Sequence, residues 1–147
     1  VLSRKPKLLI LDEATSGLDP VLREEMLQIL KDYVKDGEHS VLLSTHILYE
    51  VEAIADWICI IHKGICVVSG AKDHILNSYW IITGSMKDLP YFQKECEYIY
   101  ENNCELRGLI KDTQIKGIPK GIKRKKANLE EIVFFYSKRG YKYDKST

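Results

Sequence analysis

The sequence predicts an α/β fold in which helices flank a parallel sheet, followed by a small α+β C-terminal extension. Two short apolar runs, residues 8–12 and 40–44, end in polar residues, which is typical of strands buried on both faces of a parallel sheet. Each run is followed by a segment with apolar residues at helical spacing. The resulting order of strand, helix, strand and helix favours parallel strands joined by right-handed crossovers.

The helix boundaries come from capping residues. Asp19 is expected to cap the first helix, with Pro20 at its first position and Gly37 closing it. Apolar residues line one face of this helix: Leu22, Met26, Ile29, Leu30 and Tyr33. A second helix follows the second strand, marked by Ile47, Leu48, Val51, Ile54 and Ala55.

A β-hairpin is predicted next, from Trp57 to Ile61 and from Ile65 to Val68, turning at residues 63–64. In that register Cys66 faces Ile61 and Cys59 faces Val68, so the two thiols are not expected to be direct partners. A short helix at 72–77 completes a first domain, which we expect to span residues 1–78.

The second domain, residues 79–147, differs from the first in charge. Residues 1–78 hold eight basic and twelve acidic side chains, whereas 79–147 hold fourteen and nine. We predict strands at 79–83 and 106–110 and a helix within 89–102. A closing helix is predicted at 129–138, with Asn128 as its N-cap. The basic cluster of Lys120, Lys123, Arg124, Lys125 and Lys126 is expected to be a solvated loop, and no nucleic acid partner is expected.

Two polar groups follow the predicted strands and suggest chemistry. Asp12 and Glu13 end the first strand, where carboxylates project into the crevice in which α/β sheets bind ligands. An Asp there suits magnesium held through water, and an adjacent acid can orient an attacking water. His46 follows the second strand. Taken singly, each group has a plain structural explanation as a solvated strand end or a helix cap, but their order places them at one edge of the sheet.

These motifs together resemble those of ABC-type ATPases. Residues 8–20, LLILDEATSGLDP, resemble the Walker B strand and D-loop of that family, and residues 44–46, Ser-Thr-His, resemble its switch-histidine loop. Residues 50–56, the hairpin and residues 68–70 also resemble the end of that fold, so the resemblance covers about residues 1–76. Ala14 stands where many members have proline. The sequence is most similar to relatives of the ABC-2 type.

The resemblance implies a partial P-loop NTPase-type sheet, an ATPase activity, and ATP and magnesium as cofactors. Asp12 would position magnesium through water, Glu13 would polarise the hydrolytic water and His46 would contact the γ-phosphate. The other cofactor-binding residues, Ser16, Gly17 and Asp19, would lie where two ATPase subunits meet. Expected partners are a second ATPase subunit and a membrane-spanning transporter subunit, which would hold the chain at the cytoplasmic side of the membrane.

Two family motifs are missing from the printed sequence: the phosphate-binding G-x-x-x-x-G-K-[ST] and the L-S-G-G-Q-like signature loop. Residues 1–6 resemble the end of the helix that follows the signature loop. We therefore expect a fragment whose missing parts precede Val1. On its own, such a fragment should be poorly stable and should neither bind ATP tightly nor hydrolyse it. The alternatives are a soluble ABC-type ATPase, or a non-catalytic remnant that only pairs with other subunits.

Overall fold

The computed structural model describes residues 6–137. The predicted helix end at residues 1–5 and the predicted helix terminus at Lys138 lie outside that range. Contacts divide the chain into two compact units between Ala55 and Asp56. The domain boundary predicted after residue 78 rests on family resemblance rather than on compactness, and it stays a prediction. Across residues 6–137, no helix has the length and apolar character needed to span a membrane.

The first unit follows the predicted order of strand, helix, strand and helix. Its elements are β1 (Leu8–Asp12), α1 (Pro20–Val34), β2 (Ser40–Ser44) and α2 (Leu48–Ile54). The two strands pair in parallel, with Leu8 opposite Ser40 and Asp12 opposite Ser44. The parallel arrangement and its in-register strand ends are therefore as the sequence predicted.

The cap of α1 is also confirmed. One carboxylate oxygen of Asp19 accepts hydrogen bonds from the backbone N–H groups of Val21 (2.9 Å) and Leu22 (3.0 Å), which α1 itself cannot satisfy. Gly37 adopts φ +75° after the helix has ended, and its N–H donates to the Val34 carbonyl at 3.1 Å. The helix thus begins at the predicted cap, but it ends at Val34, three residues before the predicted Gly37.

The prediction that both strands are buried on both faces was wrong for the described residues. Leu9 is only 4% exposed, whereas Leu8, Ile10 and Leu42 are 53%, 66% and 60% exposed. Side chains alternate between the faces of a strand, and this parallel sheet has only two strands. One face is covered and the other is open, and the other sheets that the structure describes are antiparallel.

The second unit is a mixture of antiparallel strands and short helices. A hairpin and a helix come first: β3 (Trp57–His62), β4 (Ile65–Ala71) and α3 (Lys72–Ser78). The remaining elements are β5 (Tyr79–Ser85), α4 (Leu89–Glu95), β6 (Tyr98–Asn102), β7 (Glu105–Lys111), β8 (Lys123–Lys126) and α5 (Leu129–Ser137), with 3-10 turns at Met86–Asp88 and Asp112–Gly117. These four strands form one sheet in the order β6-β7-β5-β8. The buried core of this part comprises Ile82, Phe92, Ile99, Leu106, Ile110 and Ile122.

The hairpin forms as predicted, but its register differs. Lys63 (φ 50°) and Gly64 (φ 77°) are both left-handed, as a two-residue hairpin turn requires. Cys66 lies opposite Ile61 as expected, but a β-bulge between Ile60 and Ile61 places Cys59 opposite Ser69 rather than Val68. The expectation that the two thiols are not partners was also wrong, because their sulfurs lie 3.0 Å apart. Long side chains reach diagonal cross-strand neighbours on one face.

Four of the five residues of the basic cluster form an edge strand and not the predicted loop, whereas Lys120 lies in the turn before it. β8 pairs antiparallel with β5, and all four of its side chains are exposed. The ammonium nitrogen of Lys126 lies 4.2 Å from the centre of the Trp80 ring, and that of Lys125 lies 2.8 Å from a Glu131 carboxylate oxygen. Four successive cations lack the apolar alternation that predicts a strand, yet they suit an edge because charge opposes further strand pairing.

The N-cap predicted for α5 is confirmed. The Asn128 side-chain oxygen accepts from the Glu131 N–H at 2.8 Å, and a Glu131 carboxylate oxygen accepts from the Asn128 N–H at 3.3 Å. This reciprocal pair is a capping box.

Candidate functional site

The first acid of the predicted site lies where β1 and β2 end together. Asp12 is opposite Ser44 in the parallel register, and the Ser44 hydroxyl donates a hydrogen bond to the Asp12 carboxylate. The backbone N–H of Glu13 donates to the Ser44 carbonyl at 3.0 Å and lies 3.2 Å from the Ser44 hydroxyl oxygen. Ser44 therefore joins the two strand ends and holds both acids at one edge of the sheet.

Glu13 and His46 meet directly at that edge. A Glu13 carboxylate oxygen lies 3.0 Å from the Nδ1 atom of His46. A carboxylate can only accept, so Nδ1 is the donor and Nε2 is left for a second partner. The side chains are 49% and 68% exposed, and an exposed pair of this kind contributes little to stability. The strand ends, rather than the strength of this contact, bring the two residues together.

Glu13 has an unusual backbone conformation at this point. Its φ of 44° lies in the left-handed region, which a residue with a Cβ adopts at a conformational cost. The chain therefore turns sharply as soon as β1 ends, and Glu13 does not continue the strand. Its N–H and side chain both interact with the segment at the end of β2.

The loop from Glu13 to Asp19 contains the remaining predicted residues. Ser16 N–H donates to the Glu13 carbonyl at 2.9 Å, and Gly17 adopts φ +82°. Asp19 caps α1 as described above. The structure thus places Ser16, Gly17 and Asp19 in tight turns directly after the acids, and the hydrogen bonds it gives them lie within this loop and the start of α1.

A buried charged network behind this loop was missed by the sequence analysis. Glu50 and Thr15 are both fully buried, and the Thr15 hydroxyl donates to a Glu50 carboxylate oxygen. The Arg23 Nε atom lies 3.3 Å from the same oxygen, and another guanidinium nitrogen of Arg23 donates to the Leu18 carbonyl at 2.9 Å. The Glu50 carboxylate on α2 therefore holds the loop directly at Thr15, and at Leu18 through Arg23.

One sequence signal could have indicated this role for Glu50. It lies three residues after Ile47 and four before Ile54, on the apolar face of α2. A carboxylate on such a face needs a buried cationic or hydrogen-bonding partner. The identity of its partners could not be predicted, because Arg23 and Thr15 come from other elements.

The donor set fits magnesium only in part. Among residues 6–137, no three His, Cys, Asp or Glu side chains cluster as a metal site. Asp12, Glu13 and the Ser44 hydroxyl offer hard oxygen atoms at one edge. Magnesium prefers such oxygens and usually keeps several waters, with phosphate oxygens completing its shell. This arrangement therefore suits a magnesium ion that is bound mostly by water and phosphate.

Curated proteins with related sequences are ATP-binding subunits of ABC transporters. The energy-coupling factor transporter ATP-binding protein EcfA2 of Clostridium tetani is 36% identical over 77 residues, 52% of this chain and 27% of that protein. The lantibiotic transport ATP-binding protein SrtF of Streptococcus pyogenes is 42% identical over 72 residues, which are 49% of this chain and 31% of that protein. The bacitracin transport ATP-binding protein BcrA of Bacillus licheniformis is 40% identical over 70 residues, which are 48% of this chain and 23% of that protein.

The resemblance inferred from the motifs is thereby confirmed: over about half of its length, this chain is similar to ATP-binding subunits of ABC transporters. No family model matches it. The chain spans only about a quarter to a third of the length of these relatives.

Proposed function

We propose that the chain supplies the acidic and histidine part of the catalytic site in an ATP-hydrolysing subunit of an ABC membrane transporter. The observation that supports this most directly is the 3.0 Å contact between Glu13 and His46 at the joined ends of two parallel strands. The related curated proteins, which are named as transport ATP-binding proteins, support the same proposal. In this proposal β1 and β2 are neighbouring strands of a P-loop NTPase-type sheet.

Each residue at the edge has a distinct role in hydrolysis. Bound magnesium would neutralise charge on the phosphates. Asp12 would hold that ion through water, and the Ser44 hydroxyl, which donates to the Asp12 carboxylate, would fix the orientation of the carboxylate. Glu13 accepts a proton from the attacking water or orients it. His46 contacts the γ-phosphate, while the interaction with Glu13 holds its imidazole ring in place.

The loop after Glu13 couples this chemistry to partners. Ser16, Gly17 and Asp19 contact a second ATPase subunit beside the nucleotide, and closing of that pair moves a membrane-spanning subunit. The chain then works at the cytoplasmic side of the membrane. The anchoring of this loop at Thr15 and Leu18 suits a coupling role, because a loop of fixed shape can transmit a change in the site to the neighbouring subunit.

The proposal is tested in a chimera, because the printed sequence has no G-x-x-x-x-G-K-[ST] loop. The segment of BcrA that matches this chain is replaced by the corresponding residues of this chain, and ATP hydrolysis by the purified chimera is measured. We expect magnesium-dependent turnover that falls by about 10²-fold or more in Glu13→Gln, because the amide cannot accept the proton.

A matched control changes an acid on the same unit that is remote from this chemistry. Glu25 on α1 is exposed, and Glu25→Gln should leave the turnover of the chimera unchanged. Equal turnover in the Glu13→Gln chimera and the unmodified chimera would remove Glu13 from catalysis and end the proposal.

A further inference from the structure

The β3–β4 hairpin presents two thiols in contact on its surface. The sulfur atoms of Cys59 and Cys66 lie 3.0 Å apart, and both residues are exposed. A disulfide needs a separation of about 2.05 Å, so the two sulfurs must approach by about 1 Å. Reagents in solution can therefore reach both sulfur atoms. The proposed ATPase function uses neither cysteine.

The cross-strand register brings the two thiols to one face of the hairpin. Cys66 lies opposite Ile61, and Cys59 is two residues before Ile61 on the same strand, so both cysteines occupy one face of the hairpin. The register shift between Ile60 and Ile61 moves Ser69, rather than Val68, opposite Cys59. The turn at Lys63 and Gly64 fixes how the strands align. Folding of the hairpin therefore holds the thiols together.

We propose that Cys59 and Cys66 form an oxidisable dithiol site, which a low-molecular-weight disulfide of the glutathione type converts to an intramolecular disulfide. The other two cysteines differ. Cys104 is exposed, but the structure gives it no sulfur neighbour, and Cys96 packs beside Phe92 and Gly108. The proposed site needs both Cys59 and Cys66, because one cysteine alone cannot form the intramolecular disulfide.

The reaction is a pair of thiol–disulfide exchanges. The Cys66 thiolate attacks one sulfur of glutathione disulfide, that S–S bond breaks, and one glutathione thiolate leaves and takes up a proton. Cys59 then loses its proton to solvent and attacks the Cys66 sulfur, displacing the second glutathione. Two cysteine thiols are oxidised and one glutathione disulfide is reduced to two thiols. The hydrogen bond to Cys66 raises the pKa of the Cys59 thiol, so less thiolate forms on Cys59.

Oxidation and hairpin folding should favour each other. If the folded hairpin holds the sulfurs together, closure of the disulfide is easier in the folded chain than in the unfolded chain. By the same thermodynamic cycle, the oxidised chain resists unfolding more than the reduced chain. The site thus links the redox state of its surroundings to the stability of β3 and β4.

The test uses the 147-residue chain, reduced and then equilibrated in mixtures of reduced and oxidised glutathione. Free thiols are trapped by alkylation, and peptides are identified by mass spectrometry. We expect a Cys59–Cys66 disulfide to form in the native chain at a ratio of oxidised to reduced glutathione about tenfold lower than in urea. Cys96 and Cys104 should remain alkylated. The same midpoint in native buffer and in urea would overturn the proposal.

Serine variants provide the matched control. In Cys59→Ser or Cys66→Ser the remaining thiol should keep a bound glutathione, because no neighbour displaces it, whereas Cys104→Ser should behave like the unchanged chain. If the unchanged chain accumulates glutathione on Cys66 to the same extent as Cys59→Ser does, the two thiols do not react with each other and the proposal fails.

Discussion

At the ends of β1 and β2, one small hydroxyl organises two acids. Ser44 donates to Asp12, and its hydroxyl and carbonyl oxygens lie within reach of the Glu13 N–H. His46, two residues after Ser44, then contacts Glu13 at 3.0 Å. Two residues at the end of each strand are enough to gather the set, Asp12 and Glu13 on one side and Ser44 and His46 on the other, because the parallel register aligns the carboxyl ends of both strands.

The sequence predicted that Asp12, Glu13 and His46 lie together, but not the hydrogen bonds that join them. Asp12, Glu13 and His46 were predictable because each follows an apolar run, and the carboxyl ends of parallel strands share an edge. The Ser44 hydrogen bonds required the register to be known. Glu50 was missed because its partners, Arg23 and Thr15, are distant in sequence.

Burial of Cys96 gives a prediction about pH. Burial, together with the nearby Glu95 carboxylate, raises the pKa of the Cys96 thiol to about 12 from its ordinary 9.0. The neutral thiol is therefore favoured in the folded chain. Its contribution to stability is fully present below about pH 9 and is lost as the pH rises toward about 12.

This prediction is checked by alkylation of the native chain between about pH 8 and 10, where an unperturbed thiol becomes ionised. Cys96 should react at least about tenfold more slowly than exposed Cys104 in the native chain, and the difference should disappear in urea. Equal native rates would show that Cys96 is accessible and ionised, contrary to its position beside Phe92.

At the level of elements, β7 lies in the middle of its sheet and depends on a glycine. A Cβ at Gly108 would collide with the Cys96 sulfur and lie 3.0 Å from a Phe92 ring atom. Gly108→Ala should therefore lower the free energy of unfolding by about 1–3 kcal/mol, the usual cost of overpacking, as measured by urea denaturation.

Gly117 offers the matched control for that substitution. It lies in a 3-10 turn, and a Cβ there would meet nothing within 4 Å. Gly117→Ala should leave the urea midpoint nearly unchanged. If the two alanine variants unfold at the same urea concentration, the close packing of Gly108 against Cys96 and Phe92 is not a feature of the folded chain.

The anchoring of the loop to α2 gives a second prediction at this level. Glu50→Ala leaves Arg23 without its buried ion-pair partner and Thr15 without its hydrogen-bond acceptor, so the free energy of unfolding should fall by about 3 kcal/mol. Glu50→Gln should cost less, because an amide oxygen can still accept from Thr15. Glu25→Ala, on the exposed face of α1, is the control. A midpoint for Glu50→Ala equal to that of the control would contradict the buried network.

The elements that the sequence predicted well are those with local signals. β1, β2 and α1 were defined by apolar runs and by the Asp19-Pro20 cap, and α5 by its Asn128 cap. β8 was missed because its four cations give no alternating pattern, and only pairing with β5 makes it a strand. The contact between Cys59 and Cys66 was missed because neither cysteine lies directly opposite the other; they are diagonal neighbours on one face of the hairpin.

At the level of the whole molecule, one face of the β1–β2 sheet leaves apolar side chains exposed. Leu8, Ile10 and Leu42 are more than half exposed on a two-stranded sheet. An apolar sheet face is normally covered by another layer of structure. The related proteins are three to four times longer than the segments they share with this chain, and the contribution that we propose for this chain is the edge at Asp12, Glu13 and His46.

The central claim is that Glu13 and His46 act together in one chemical step. The most direct measurement is a double-mutant cycle in the chimera, comparing ATP turnover in Glu13→Gln, His46→Ala and the double variant. Residues that act as a unit give non-additive losses. We predict that the double variant turns over no more slowly than the slower single variant. Losses that multiply would show that the two side chains act independently, which would contradict the account.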